Sequence, residues 1–367
     1  PIMKTKKILK TAAIILLTIL IILAGYIIYL YASYHRIEDN KKLEVETVSE
    51  NDKEGDTLSA EKKYSALTYN IGFGAYTPEY SFFMDGGKYS WAKSKESAKE
   101  TVTGAGELVA SLDPDFALIQ EIDLDATRTY HLDEYSILKK VIPAYNCVFA
   151  QNYDSAFLFY PFTQPHGKSK AGLALFSRYP VTDSLRRSFP VSTSFTKFFD
   201  LDRCYSISRV PVDNGKELVI FDLHMSAYGN SDAVREGQIS MLREDMQKEY
   251  EAGNYVICGG DFNHDLKVTE EDEKNQETES WAYPFPREEL PKHFSFCLDQ
   301  FSTEEKKNIW NSARNADSPY VPGETYTVTL DGFIISDNVE CMKYKNVNTG
   351  YSYSDHDPVY MEFQLKK

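Results

Sequence analysis

An uninterrupted apolar run near the N-terminus limits most strongly how this chain can fold. Residues Thr11 to Ala32 include no charged side chain and are rich in isoleucine and leucine. A helix of about 20 apolar residues spans the hydrocarbon core of a bilayer, so this run predicts a transmembrane anchor. A cleaved signal peptide is the alternative, but the run is long for one and no small-residue cleavage site closes it cleanly.

The charges around this run predict its orientation and the organisation of the chain. Four lysines precede the run, and every charged residue among the first 36 is basic. Positive residues favour the cytoplasmic side, so residues 1–10 are predicted to be a basic cytoplasmic N-terminus and 11–32 a single-pass anchor in the cell membrane. Residues 33–63 are polar and predict a tether. Residues 64–367 are predicted to form one folded domain outside the membrane.

The body of the protein is large and acidic. The chain has 367 residues, 42% of them hydrophobic, which is enough for one large domain or two small ones. Without the five basic residues at the N-terminus, 35 basic residues stand against 55 acidic ones, a net charge of −20. Such a body repels nucleic acid and anionic lipid on average, unless a basic patch or a bound cation reverses this at one site. Five cysteines do not make a disulfide framework.

Strand and helix patterns alternate from residue 64 to residue 363. This interleaving favours an α/β fold with two sheets over a helical bundle or a β-sandwich. The predicted strands are 65–70, 116–119, 172–177, 205–212, 217–223, 255–258, 326–335 and 359–363, and the predicted helices include 94–112 and 132–142.

Isolated polar side chains follow or interrupt six of these apolar strands. In one of them two glycines follow residues 255–258 and lead to Asp261 and Asn263, whose spacing places both side chains on one face of an extended chain. Open α/β sheets place their sites at such strand ends. The full set is Asn70, Glu121, His224, Asp261 with Asn263, Asp331, and Asp355 with His356.

This set of side chains predicts metal and proton chemistry. Carboxylates and amides suit a hard divalent cation, and two imidazoles suit proton transfer. Neither a thiolate cluster nor paired histidines indicate zinc, so Mg²⁺ or Mn²⁺ is the predicted cofactor. Four of these residues also have a simpler interpretation, because Asn70 can form a turn, Asp331 can break a strand, His224 can bond a core carbonyl and His356 can sit in a surface turn.

The order of the motifs resembles the endonuclease/exonuclease/phosphatase superfamily, which includes deoxyribonucleases, inositol polyphosphate phosphatases and sphingomyelinases. The resemblance spans residues 64–363 and implies a four-layer α/β/β/α sandwich of two mixed sheets, here preceded by one transmembrane helix. It also implies a metal-dependent phosphoric ester hydrolase. The motifs are Tyr69-Asn70, Gln120-Glu121, the strand 172–178, Leu223-His224, Gly260-Asp261-Phe262-Asn263, Leu330-Asp331-Gly332-Phe333 and Ser354-Asp355-His356-Asp357-Pro358.

The resemblance also implies which residues hold the metal. By motif position, Glu121 ligates it, with Asn70 and Asp355 close by, directly or through water. A cation at such a site stabilises the charge that collects on phosphate oxygens during hydrolysis.

Five further residues receive catalytic roles from the resemblance. Asp331 orients His356, which helps to activate the attacking water, and Asp261 is the rival base. Asn263 and His224 contact the scissile phosphate, and His224 alternatively protonates the leaving oxygen.

Three functions remain open at this point. The first is a membrane-anchored, extracytoplasmic phosphoesterase acting on a phosphodiester or phosphomonoester such as a lipid headgroup, with the aromatic loops at 73–91 and 153–162 touching the substrate or covering the core. The second is a surface nuclease acting on DNA or RNA. The third is a non-catalytic binding module on the same fold, which the complete set of acids, amides and imidazoles disfavours. No protein partner is indicated.

Overall fold

The computed structural model describes residues 2–48, 56–227, 232–268 and 281–367. The helices in these ranges are α1 (Ile2–Ser33), α2 (Lys95–Leu112), α3 (Glu134–Val141), α4 (Asp232–Glu251) and α5 (Thr303–Asn308). The strands are β1 (Lys41–Lys42), β2 (Val45–Glu46), β3 (Lys63–Asn70), β4 (Phe116–Ala126), β5 (Asn146–Asp154), β6 (Ser169–Ser177), β7 (Asp183–Ser188), β8 (Cys204–Pro211), β9 (Glu217–His224), β10 (Tyr255–Asp261), β11 (Phe294–Phe296), β12 (Ala313–Arg314), β13 (Thr327–Val328), β14 (Asp331–Ser336), β15 (Val339–Asn346) and β16 (Val359–Leu365).

Within the described ranges the strands form two seven-stranded sheets and one short two-stranded pair. The first sheet has the order β1-β7-β8-β9-β10-β14-β11, and the second has the order β15-β16-β3-β4-β6-β5-β2. Strands β9 and β10 are parallel, as are β3 and β4, and the neighbouring pairs are antiparallel. The predicted α/β fold with two mixed sheets is confirmed.

Helices flank the two sheets and complete the layers. Leu118 of β4 and Phe221 of β9 lie in one buried apolar cluster that also holds Leu242 of α4. Val102 of α2 and Leu138 of α3 belong to a second cluster, on the β3 and β4 side. The predicted helix 94–112 is confirmed as α2, and the predicted helix 132–142 is shorter, because α3 begins after the Asp133 cap.

The register of the first sheet places three of the polar residues in one row. Asp261 on β10 pairs with His224 on β9 and with Asp331 on β14. The predicted strand 326–335 is interrupted, but the break between β13 and β14 lies at residues 329–330 rather than at Asp331, where β14 begins. In the second sheet Asn70 pairs with Gln120, beside Glu121. The core of each sheet therefore ends in polar side chains on the same side of the sandwich.

The prediction of a tether at 33–63 is wrong for much of the described part of that segment. Strand β1 pairs with β7 at the edge of the first sheet, and β2 pairs with β5 at the edge of the second. Leu43 is buried between them, and Arg36 forms an ion pair with Asp202. The polar composition of the segment does not indicate a tether, because short edge strands need few apolar side chains. Residues 49–55 of the predicted tether lie outside the described residues.

The N-terminal helix is long and apolar enough to cross a membrane over Thr5–Ser33. Its last turns contact the domain. The Tyr26 hydroxyl donates a hydrogen bond to the carbonyl oxygen of Phe157 at 3.1 Å, and Leu30 is buried with Leu158 and Phe198. The helix and the domain are therefore joined by side-chain packing as well as by the chain itself.

Candidate active site

A cleft of about 320 Å³ opens where the two sheets end. It collects polar residues from both sheets, together with side chains from the loops that border it. The lining residues are Tyr76, Phe82, Asp85, Glu121, Arg203, His224, Ala227, Asp261, Asn263, Trp281, Ala313, Arg314, Asn315, Ala316, Asp317, Leu330, Asp355 and His356.

Asp331 and His356 form a buried carboxylate–imidazole pair at the floor of this cleft. His356 Nδ1 lies 2.7 Å from Asp331 Oδ2, and Ser312 Oγ donates to the same oxygen at 2.7 Å. Burial lowers the pKa of His356, but the carboxylates of Asp331 and Asp261 outweigh it and raise that pKa well above its usual value. The predicted partnership of Asp331 with His356 is thus present in the structure.

Asp261 lies at the centre of the site and contacts three other predicted residues. Its Oδ2 accepts a hydrogen bond from Asn70 Nδ2 at 3.0 Å. The same oxygen lies 3.5 Å from His224 Nε2 and 3.8 Å from His356 Nε2. Burial raises the pKa of Asp261 to about 6, and the nearby His356 partly opposes this. Asp261 can therefore hold or release a proton near neutral pH.

Glu121 reaches the cleft through a β-bulge rather than from the end of a strand. The sequence predicts a strand that stops at residue 119, but β4 continues to Ala126 with a register shift against β6 between Ile119 and Ile122. Glu121 has φ +58°, a conformation that costs energy for a residue with a Cβ atom and that clusters at functional sites. Burial and the neighbouring Asp355 raise the pKa of Glu121 to about 8.

His224 is buried against an arginine. Arg203 Nη1 lies 2.7 Å from His224 Nε2, and because a guanidinium can only donate, the imidazole nitrogen accepts. Burial and the Arg203 charge lower the pKa of His224 well below its usual value. Its Nδ1 has no hydrogen-bond partner among the described residues. Protonation of a leaving oxygen by His224 would require this contact with Arg203 to open.

Asn263 does not share a face of extended chain with Asp261 as the spacing predicts. The chain turns at Asn263, which has φ +49°, and its backbone N–H donates to Asp261 Oδ1 at 2.8 Å. This is an Asx-type turn, which asparagine and aspartate favour. The Asn263 side-chain amide donates to the carbonyl oxygen of Met225 at 2.9 Å. Both side chains still line the cleft.

Asn70 links the two sheets at the edge of the site. Its Nδ2 donates to Asp261, and its Oδ1 accepts from the backbone N–H of Gly72 at 3.0 Å. Gly72 has φ +55°, and a Cβ atom there would lie 2.9 Å from Ser354 Oγ and 3.1 Å from Asp355 Oδ1. The glycine thus lets the loop after β3 approach the Asp355 carboxylate closely.

With this geometry in place, sequence comparison decides the family. Residues 67–289 match the profile of the Endonuclease/Exonuclease/phosphatase family. The protein belongs to this family. The comparison with curated proteins gives no match. The match ends before Asp331, Asp355 and His356, so it is the structure that places these three residues beside Asp261 and Glu121.

Solved structures of this family share the fold at low sequence identity. An endonuclease/exonuclease/phosphatase from Beutenbergia cavernae has a TM-score of 0.55 at 14% identity, covering 83% of this chain and 72% of its own. TDP2 from D. rerio, solved with a single-strand DNA product, has 0.53 at 17%, covering 83% and 100%. ANGEL2, a 2′,3′-cyclic phosphatase, has 0.54 at 12%, covering 89% and 99%.

The donor set fits the divalent cation that is typical of this family. Among the described residues, one group of three acid or imidazole ligand atoms lies within 4.8 Å of one another, from Asp261, Asp331 and His356. Of these three, Asp331 Oδ2 already accepts hydrogen bonds from Ser312 Oγ and His356 Nδ1. Glu121 and Asp355 both face the cleft, and carboxylate oxygens are ligands that a hard divalent cation prefers.

Sequence reasoning missed several residues of the cleft. Arg314 lies in a stretch without a motif, yet its Nη2 donates to the carbonyl oxygen of Thr77 at 2.9 Å and its buried Nε has no partner among the described residues. Arg203 forms a salt bridge with Asp200 at 3.0 Å and also contacts His224. Trp281 follows no recognisable spacing, and only its folded loop brings it here, whereas Tyr76 belongs to the aromatic loop 73–91 that was one of the two candidate substrate contacts.

Proposed function

We propose that this protein is a membrane-anchored, extracytoplasmic, divalent-metal-dependent phosphoesterase that hydrolyses a phosphodiester or phosphomonoester by attack of water. The main support for this proposal is that the Asp331–His356 pair, Asp261 and Glu121 converge in one cleft. Such a set provides an oriented proton acceptor, a second carboxylate and a cation ligand within a few ångströms of one another. A binding module would gain nothing from these buried, mutually perturbed groups.

The residues divide into two groups with different tasks. Glu121, Asp355 and Asn70 are the candidates to hold Mg²⁺ or Mn²⁺, which supplies positive charge to phosphate oxygens when bound. His356, oriented through Nδ1 by Asp331, presents Nε2 to the cleft as the candidate general base. Asp261 stays the alternative base.

Three further cleft residues, Arg203, Arg314 and Asn263, are suited to contacting the phosphate. Arg203 and Arg314 bring positive charge into an otherwise acidic body, and guanidinium groups match phosphate oxygens well. Asn263 lies at the cleft beside Asp261 and can donate to a phosphate oxygen if its amide leaves the Met225 carbonyl. His224 holds Arg203 in place.

A nuclease is the second candidate function. The rings of Tyr76, Phe82 and Trp281 line the same cleft as the two arginines, and aromatic side chains can stack on unpaired bases. The net charge of −15 opposes long-range attraction of nucleic acid. Stacking of nucleotide bases in the cleft would therefore have to provide the attraction for nucleic acid that the surface charge does not provide.

The anchor and the orientation belong to the same proposal. The apolar length of α1 supports a single membrane crossing, and the lysines before it support a cytoplasmic N-terminus. Protease treatment of intact cells should remove the domain, and alkaline washing of isolated membranes should not release the protein. Recovery of a shortened, soluble form from the medium would instead show that α1 is a cleaved signal.

The enzymatic test uses the full chain in detergent with Mg²⁺ or Mn²⁺. Bis(p-nitrophenyl) phosphate, plasmid DNA, sphingomyelin and phosphoinositides are offered in parallel, each with and without a chelator. Chelator-sensitive hydrolysis of any of them supports the proposal, and nicking of DNA alone favours the nuclease. Hydrolysis that is indifferent to the chelator and to a His356→Ala substitution would refute the proposed site.

A further inference from the structure

Large aromatic side chains are exposed beside the C-terminal end of α1. We define the aromatic rim as Phe159, Tyr160, Phe162, Phe195 and Phe199. Phe162 is the most exposed of them at 84%, and Tyr160 is 61% exposed. A contiguous group of exposed apolar side chains usually marks an interaction surface.

The aromatic rim is fixed directly to the membrane helix on both sides. The rings of Tyr26 in α1 and Phe159 are 5.2 Å apart, and Tyr160 contacts Phe162 at 5.8 Å. On the other side, Phe198 lies 4.9 Å from Tyr31 and 5.2 Å from Phe195. The rim is therefore held at the height of the last turns of the helix.

The length of the helix then sets this height relative to a bilayer. The uncharged part of the helix begins at Thr11. From there to Gly25 the helix rises about 22 Å, less than the roughly 30 Å thickness of the hydrocarbon core, so the last turns of the predicted anchor reach the membrane interface. Tyr26 and Tyr29 follow directly and hydrogen-bond the backbone at Phe157. A helix that spans the membrane over this length must place residues 157–162 at the lipid headgroups or slightly below them.

The chemistry of the rim matches that depth. Aromatic residues are enriched where membrane proteins pass from hydrocarbon to water. Neither 156–170 nor 190–199 contains an acidic residue, although the body as a whole is strongly acidic. The Lys197 ammonium lies 4.6 Å from the centre of the Tyr34 ring, so the rim combines apolar rings with a cation.

The cleft extends from the catalytic residues to this surface. One arm of it, lined by Glu121 and Arg203 at the inner end, is also lined by Thr196 and Phe199. Phe199 belongs to the aromatic rim. A molecule that enters along this arm would thus pass from the rim to the catalytic residues.

We propose that the aromatic rim rests in the interfacial layer of a phospholipid bilayer, so that the cleft takes a phosphate ester presented at the lipid surface. This inference rests on the proposed function and its anchor, and it adds the partner surface and the source of the substrate. The partner of the aromatic rim is a bilayer rather than a second protein, because the membrane helix joins the domain at the rim itself.

Depth-dependent fluorescence quenching tests the contact. The full chain carrying Phe162→Trp is reconstituted into vesicles of phosphatidylcholine brominated on the acyl chains. The matched control is Met342→Trp, also exposed, on β15 at the opposite edge of the second sheet from β2. Bromination should quench the Phe162→Trp signal clearly beyond the background of the three natural tryptophans. Quenching no greater than in the control would overturn the proposal.

Kinetics separate this inference from the proposed function. Bis(p-nitrophenyl) phosphate in solution and hexadecyl p-nitrophenyl phosphate in the vesicles carry the same leaving group. Combined Phe159→Ser, Tyr160→Ser and Phe162→Ser substitutions should lower turnover of the vesicle ester about tenfold and leave the soluble ester unchanged. An equal effect on both esters would overturn the inference. Absence of metal-dependent hydrolysis of both esters, and of the DNA and lipids offered in the enzymatic test, by the wild type would instead overturn the proposed function.

Discussion

The imidazole Nδ1 of His356 lies 2.7 Å from Asp331 Oδ2, with neither side chain more than 9% exposed. Because a carboxylate only accepts hydrogen bonds, Nδ1 carries a proton and Nε2 is the nitrogen that can act as a base. It must first release its own proton, which the raised pKa of His356 opposes. Nε2 faces Asp261 and the cleft. The arrangement fixes one tautomer of His356 in the orientation that a general base requires.

Replacing His356 should therefore abolish hydrolysis without unfolding the protein. His356→Ala is expected to lower kcat by about 10²–10⁴-fold, the usual contribution of a positioned base. His356→Asn should lose a similar factor while keeping a donor for Asp331, so its melting temperature should stay closer to the wild type. His131→Ala, at an exposed histidine paired with Asp125, is the control. Turnover near the wild-type rate in either His356 variant would contradict the assignment.

Replacing Glu121 should separate metal binding from folding. Glu121→Gln keeps the shape of the side chain but removes the charge that attracts a cation, so Mg²⁺ or Mn²⁺ should no longer raise the melting temperature. The measurement is a thermal melt over a titration of the metal. Glu107→Gln on the exposed face of α2 should respond like the wild type. An unchanged metal dependence in Glu121→Gln would transfer the ligand role to other residues.

Adding a Cβ atom at Gly72, next to Ser354 and Asp355, gives an independent test of the site. Gly72→Ala and Gly215→Ala place a Cβ atom at positive φ, so both should lose about 1 kcal/mol of stability. Only at Gly72 does the new atom approach Ser354 and Asp355, whereas Gly215 has open space around it. We expect kcat/KM to fall at least tenfold in Gly72→Ala alone. Equal activities of the two variants would show that the loop adjusts freely.

Asp222 should make the stability of the protein depend on pH. This residue is buried between the sheets and accepts from Gln120 Nε2 at 2.7 Å, and burial raises its pKa well above the usual value. An aspartate with a raised folded-state pKa destabilises the fold as pH rises above the unfolded value of about 4. Asp222→Asn should therefore be more stable than the wild type at pH 8, and the difference should shrink towards pH 4. The measurement is the free energy of unfolding from denaturation curves of both proteins. An equal difference between the variant and the wild type at both pH values would contradict this prediction.

The polar strand ends could be predicted from sequence because apolar runs stop abruptly before them. His224, Asp261 and Asp331 each lie where a core strand of the first sheet begins or ends, and pairing then brings them into one row. Glu121 was predicted by residue type but not by geometry, since a β-bulge leaves no pattern in the sequence. Arg314 could not be predicted, because it reaches the cleft through tertiary packing of a loop without periodicity.

The segment that follows the membrane helix also determines where the domain can be cut. Strand β1 closes one edge of the first sheet and β2 closes the matching edge of the second, only a few residues apart. A soluble version starting at Tyr64 would remove both and leave the backbone of β7 and β5 open to pairing with another molecule. A version starting near Tyr34 keeps both strands and the Arg36–Asp202 ion pair, and is the better choice for crystallisation.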